Sequence, residues 1–375
     1  MKIKETKTMK MRWIVVVAVV LLGMNSVANG QVAVENGSYV SAMYVLGDSS
    51  VDCGFNTLLY PIYHHNLSMV PCNNGSDSIL LPHLLAAKIG LPPIQPFYSQ
   101  NGSIDGLLAG VNYGSALATI MNPSSQGLQS LNQQLRQASE SFQLLQLQLG
   151  QDNAQIFIKS SIVYLSFGKD DYINLFLRNF EGIMLKYSGQ EFAHILVDQM
   201  VHAMRNLYDA NVRKVICMGL LPLGCTPRTV WEWQNATAVN DPRSCVEEIN
   251  ELVLQFNTML DKHILQLNTE LPDAQIVFCD VYKGIMAIIS NPDHYGFEDT
   301  KNACCGLGLH GAMIGCLSVE MACKEASAHL WWDLYNPTQT ANSLIAASSW
   351  SGHPFSICRP FSIHDLVSTS VSHLT

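Results

Sequence analysis

The chain has 375 residues, 48% of them hydrophobic and 14% charged, with a formal net charge of −9 at pH 7. An acidic balance with no basic block argues against a nucleic-acid partner and against an electrostatic membrane anchor. No Gly/Ser/Pro-rich linker or internal repeat divides the chain, so one large domain is expected over 31–350, followed by a tail at 351–375.

In chain order, residues 2–12 are basic, residues 13–24 are almost wholly apolar, and Ser26-Val27-Ala28 supplies small residues. That pattern predicts a signal peptide over 1–30, cleaved near 28–30. The apolar run of twelve residues falls well short of the roughly twenty that span a bilayer. Residues 1–30 carry five Lys/Arg against Glu5, a net of +4, so removing them takes the formal charge from −9 to −13. A secreted, extracellular protein without a transmembrane segment is expected. In that compartment the eleven cysteines mostly pair, and their odd number leaves at least one unpaired. Cys304, Cys305, Cys316 and Cys323 are spaced irregularly for zinc, which favours disulfides over a metal site. Sequons at Asn36, Asn66, Asn74, Asn101 and Asn235 predict N-glycosylated surface loops.

From residue 42 onward, apolar runs alternate with amphipathic stretches of helical length, the pattern of βα units and a parallel sheet. Strands are expected at 42–46, 162–167, 214–218 and 275–279, and helices at 79–89, 128–149, 191–208, 246–268 and 338–348. Leu128, Leu131, Leu135, Ala138 and Phe142 share one face of the second helix and predict a core contact. Ligands of such sheets gather at the carboxyl ends of the strands. Gly47-Asp48-Ser49-Ser50-Val51-Asp52 follows the first strand, where a serine serves as nucleophile or as helix cap.

Further along come Gly110-Val111-Asn112-Tyr113-Gly114-Ser115, Gly168-Lys169-Asp170-Asp171-Tyr172, Gly219-Leu220-Leu221-Pro222-Leu223-Gly224-Cys225 and Trp332-Asp333-Leu334-Tyr335-Asn336-Pro337-Thr338. In this order the blocks resemble those of the plant GDSL-type lipases and esterases, a branch of the SGNH hydrolases, over residues 44–347. The resemblance implies a flavodoxin-like, three-layer α/β/α fold and ancestral hydrolysis of carboxylic esters through a Ser-His-Asp triad. It implies no cofactor and no metal. Acyl lipids, cutin monomers and acetylated wall sugars are its ligand classes. Carried over by position, Ser49 is the nucleophile and Asp333 the triad acid.

Three positions depart from the pattern. The last block has Asn336 where the resemblance expects the general-base His, and an amide is not basic near neutral pH. The third block has Asp170 in place of an oxyanion Asn, exchanging a donor for a group that only accepts when ionised. The second has Leu117 at the expected oxyanion Gly, where the backbone amide survives but the backbone angle or the acyl pocket can change. His329 and His310 are expected to be packed or surface histidines, His353 and His364 to be solvated, and Trp331, Trp332 and Tyr335 to pack. Two readings stay open: a binding or scaffolding protein that has lost ester turnover, or an esterase with Asp170 or a loop histidine as substitute base.

Overall fold

The computed structural model describes residues 40–52, 79–100, 102–121, 129–234, 245–317 and 319–369. The expected signal peptide, all five sequon asparagines, Leu128, Cys53 and Cys72 lie outside them.

The strands are β1 (Met43–Gly47), β2 (Gln95–Pro96), β3 (Val111–Asn112), β4 (Ile162–Ser166), β5 (Lys214–Met218), β6 (Gln275–Cys279), β7 (Asp299–Ala303), β8 (Gly306–Leu307), β9 (Ile314–Gly315), β10 (His329–Trp331) and β11 (Cys358–Arg359). Seven form the central sheet in the order β11-β6-β5-β4-β1-β3-β2. Every pairing in it is parallel except β11 with β6. β1 and β5 are buried along their whole length and β4 along nearly all of it, and for that reason their sequences read as unbroken apolar runs. β5 and β6 have the expected bounds, whereas β1 is shifted by one residue and β4 ends one earlier. The two-residue strands β2, β3 and β11 are too short to leave any periodic signal.

The longer helices are α1 (Leu81–Ile89), α2 (Leu131–Leu149), α3 (Gln151–Ser160), α4 (Gly189–Asp209), α5 (Glu247–Glu270), α6 (Val281–Ser290), α7 (Gln339–Ser351) and the short α8 (Ile363–Ser368). They flank the sheet in two groups: α4 packs on α5 and α2, while α1, α6 and α8 pack on α7. This is the three-layer α/β/α arrangement. Capping sets the starts. Ser130 with Gln133 and Ser188 with Glu191 form capping boxes, so α2 begins later and α4 earlier than the apolar periodicity alone suggests. Leu131, Leu135, Ala138 and Phe142 are buried on α2, as their spacing predicts.

The segment expected as a tail is part of the sheet. β11 pairs with β6, Cys358 is disulfide-bonded to Cys279, and Ile363, Leu366 and Val367 of α8 are buried. The buried Lys214 ammonium donates to the Thr369 carbonyl at 2.7 Å, holding the carboxyl end of α8, where partial negative charge collects. His364 is exposed, as expected, and meets the Trp350 ring edge-on at 5.2 Å. The other disulfides are Cys225–Cys245, Cys304–Cys323 and Cys305–Cys316. Cys217 is a buried free thiol. Among the described residues no helix is long and apolar enough to cross a membrane.

Candidate active site

The site is built at the carboxyl end of β1. Gly47 fits there because a Cβ would meet the Ser166 carbonyl oxygen at 2.5 Å and Val51 at 2.4 Å. The Gln134 side chain of α2 closes the strand end by accepting from Gly47 N and donating to Gly47 O, each at 2.9 Å. The fully buried Asp48 then ties two loops together. Its Oδ1 accepts from Ser50 N and Oγ, and its Oδ2 accepts from Asp170 N at 3.3 Å. The second block is held in the same way, with Ser115 N donating to Gly47 O and Ala116 N to Asp52 Oδ2. A π-helical turn, Asp171–Phe176, follows Asp170 directly, and such turns cluster at functional sites.

Ser49, Leu117 and Asp170 converge on one point. Ser49 Oγ donates to Asp170 Oδ1 at 2.6 Å, while Ser49 N and Leu117 N both donate to Asp170 Oδ2, at 3.1 and 2.8 Å. These are the two backbone amides that the resemblance assigns to the oxyanion, and a carboxylate oxygen already sits on both. Leu117 holds this position with φ at 64°, a left-handed angle that glycine adopts freely and leucine at a cost of about 1–2 kcal/mol. Its side chain is 46% exposed, so packing offsets little of that cost.

Burial pushes the Asp170 carboxyl up to about 6, reinforced by the neighbouring Asp48 and opposed by Lys169 and the hydrogen bonds from Ser49. Asp171, which accepts from the amides of Ile120 and Met121, is pushed up to about 8 by its burial. Both Asp170 oxygens act as acceptors here, Oδ1 from the Ser49 hydroxyl and Oδ2 from the two amides. An ester carbonyl oxygen finds the two amides engaged unless this carboxylate moves away.

The last block makes a separate cluster. Asp333 Oδ1 accepts from Tyr335 N and Asn336 N, and its Oδ2 accepts from Asn336 Nδ2 at 3.0 Å. Asn336 Oδ1 in turn accepts from the Lys169 ammonium at 2.6 Å. Its two neighbours thus fix the orientation of the Asn336 amide. No hydrogen bond joins Ser49 to Asn336. The link runs through Asp170 and the adjoining Lys169, whose side chain is nearly inaccessible.

Lys169 and Asp48 carried no role in the sequence reading. The charged Lys169-Asp170-Asp171 run is the signal that points to Lys169, and the place of Asp48 directly before Ser49 is the signal that points to Asp48. His310 Nδ1 pairs with Asn302 Oδ1, and His329 Nδ1 lies 3.0 Å from Glu325 O. Among the described residues, Asp170 is the hydrogen-bond partner of the Ser49 hydroxyl. Trp331 is buried and donates to Thr300 O. Cys323 Sγ lies 3.6 Å from His329 Nδ1, but it is bonded to Cys304 and is no thiolate ligand.

A three-layer α/β/α fold whose mostly parallel sheet gathers a Gly-Asp-Ser turn and its partner loops at the carboxyl ends of its strands has the build of the SGNH hydrolases. The chain belongs to the GDSL-like lipase/acylhydrolase family, whose model matches residues 43–348. One GDSL esterase/lipase of Arabidopsis thaliana is 34% identical over 326 residues, covering 84% of this chain and 86% of that protein. GDSL esterase/lipase 7 of Arabidopsis thaliana is 28% identical over 362 residues, covering 93% and 98%. The family acts on esters, so its substrates are esters or lipids.

Proposed function

We propose that this chain is a secreted, N-glycosylated GDSL-family protein whose ordinary ester turnover is strongly impaired, and that it works by binding an acyl-ester, lipid or cell-wall ligand. The observation that carries the reading is the Asp170 carboxylate on the amides of Ser49 and Leu117. Removing one oxyanion donor costs roughly 10² to 10³ in turnover, and here an anion also stands where negative charge would develop. Asn336 adds a second loss. Without a general base a triad enzyme loses on the order of 10⁴ to 10⁶. Secretion is supported by the basic-apolar-small N-terminal pattern and by the four disulfides among the described residues.

The 2.6 Å hydrogen bond from Ser49 Oγ to Asp170 favours a second reading, in which Asp170 takes the serine proton as a substitute base. Asp170→Asn separates the two. Under the first reading this variant hydrolyses 4-nitrophenyl butyrate at least as fast as the unmodified protein, because a donor replaces the carboxylate. A fall of more than about a hundredfold from the unmodified protein, down to the rate of Ser49→Ala, would identify Asp170 as the base and overturn the first reading.

A further inference from the structure

Next to the loop that carries Asp333 and Asn336, a disulfide-stapled hairpin exposes apolar side chains. β8 and β9 pair through Gly306 with Gly315 and Leu307 with Ile314, and the disulfides Cys305–Cys316 and Cys304–Cys323 staple the segment. Leu307, Leu309, Met313 and Ile314 are 49–58% exposed, and Leu317 is 75% exposed. Residues 305–317 contain no Asp, Glu, Lys or Arg. The histidine of the segment, His310, is held below its ordinary range by burial, so the hairpin is neutral at pH 7 within a chain of formal charge −9.

This hairpin is continuous with the loop that carries Asp333 and Asn336. Cys305 N donates to Trp332 O at 2.6 Å. Arg228 donates from its guanidinium to Ala312 O and Met313 O and from its backbone to Leu334 O, and Gly315 lies against the Leu334 side chain.

We propose that the hairpin docks this protein on an uncharged lipid surface, with the loop that carries Asp333 and Asn336 beside the contact. Soluble proteins rarely expose so many large apolar side chains together, and when they do the patch marks an interaction site. The side chains stand out from a stapled hairpin instead of lining a groove. A projection of that kind seats in the headgroup boundary of a lipid layer, whereas a protein partner would need a matching apolar hollow. Charge selects the lipid, since an acidic chain with a neutral hairpin gains nothing from an anionic layer and is repelled by it. The two disulfides hold the side chains in place beforehand, which lowers the ordering cost of docking. The choice of a lipid occupant rests on the ester and lipid substrates of the family, and does not depend on whether Ser49 turns over.

Flotation of the purified protein with phosphatidylcholine vesicles tests this. The protein is expected to float with them, and adding phosphatidylglycerol is expected to weaken the association. Leu309→Ser/Leu317→Ser should reduce vesicle affinity by about tenfold or more. Met313→Ser/Ile314→Ser should do the same, so the result does not hang on the folding of one variant. Leu147→Ser, which removes an 80% exposed leucine from α2, should leave affinity unchanged. Three results would each overturn the proposal: no flotation with phosphatidylcholine, equal loss in Leu147→Ser, or a dimer in solution that the hairpin variants dissolve.

Discussion

The frame around Ser49 and the side chains that face the reacting atoms tell opposite stories. Gly47, Gln134, Asp48 and Ala116 hold the turn through close backbone contacts, all hydrogen-bonded. Asp170 and Leu117 instead fill and strain the point that this frame presents, while Asn336 stands apart, bonded to Asp333 and Lys169. The frame belongs to the packing of the sheet, and losing it would destabilise the fold. The reactive side chains lie where chemistry alone fixes their identity, so they can change while the fold persists.

The largest effect should come from asking whether the frame is still competent. Asn336→His combined with Asp170→Asn restores a base and a donor to one transition state. Hydrolysis of 4-nitrophenyl butyrate should rise by on the order of 10² or more, beyond the product of the single variants. Asn336→His alone should gain little, because Asp170 still opposes the oxyanion. A folded double variant no faster than its Ser49→Ala control would break the comparison and place the loss in the frame as well.

On the frame side, Gly47→Ala should destabilise by about 3 kcal/mol, since its Cβ meets backbone at Ser166. Denaturant unfolding reads this directly, and an unchanged midpoint would mean that the turn is looser than its contacts imply.

A smaller effect depends on pH. A carboxyl raised to about 6 by burial binds its proton more tightly folded than unfolded. Its contribution to stability is therefore complete below about pH 4 and is lost as pH rises through about 6. Asp170→Asn does not titrate, so its Tm relative to the unmodified protein should rise by a few degrees between pH 5 and pH 7. A difference that stays constant across that range would place Asp170 in a more polar setting.

The smallest effect is expected at Leu117. Leu117→Gly relieves the left-handed strain but loosens the unfolded chain, so stability should change by about 1 kcal/mol or less. Thermal unfolding checks it, and a loss well above this would show that the exposed leucine packs on something.

Much of this was legible in the sequence. Strands buried on both faces read as apolar runs, and the helices showed their spacing, while two-residue strands such as β11 left nothing to find. Ser49, Asp333 and Asn336 were singled out by their positions within motif blocks. What the blocks could not give is contact. That Asp170 reaches the Leu117 amide, 53 residues away, and Lys169 reaches Asn336, 167 residues away, follows only from the way the strand ends assemble. Asp170 in place of the Asn that the resemblance expects was visible as a residue type, but its contact with the Ser49 and Leu117 amides needed the fold.

The most direct measurement of the central claim is 4-nitrophenyl butyrate hydrolysis by the purified protein beside its Ser49→Ala variant. Impaired turnover predicts rates that lie within about tenfold of each other. A difference of more than about a hundredfold would establish a working Ser49 nucleophile and contradict the account.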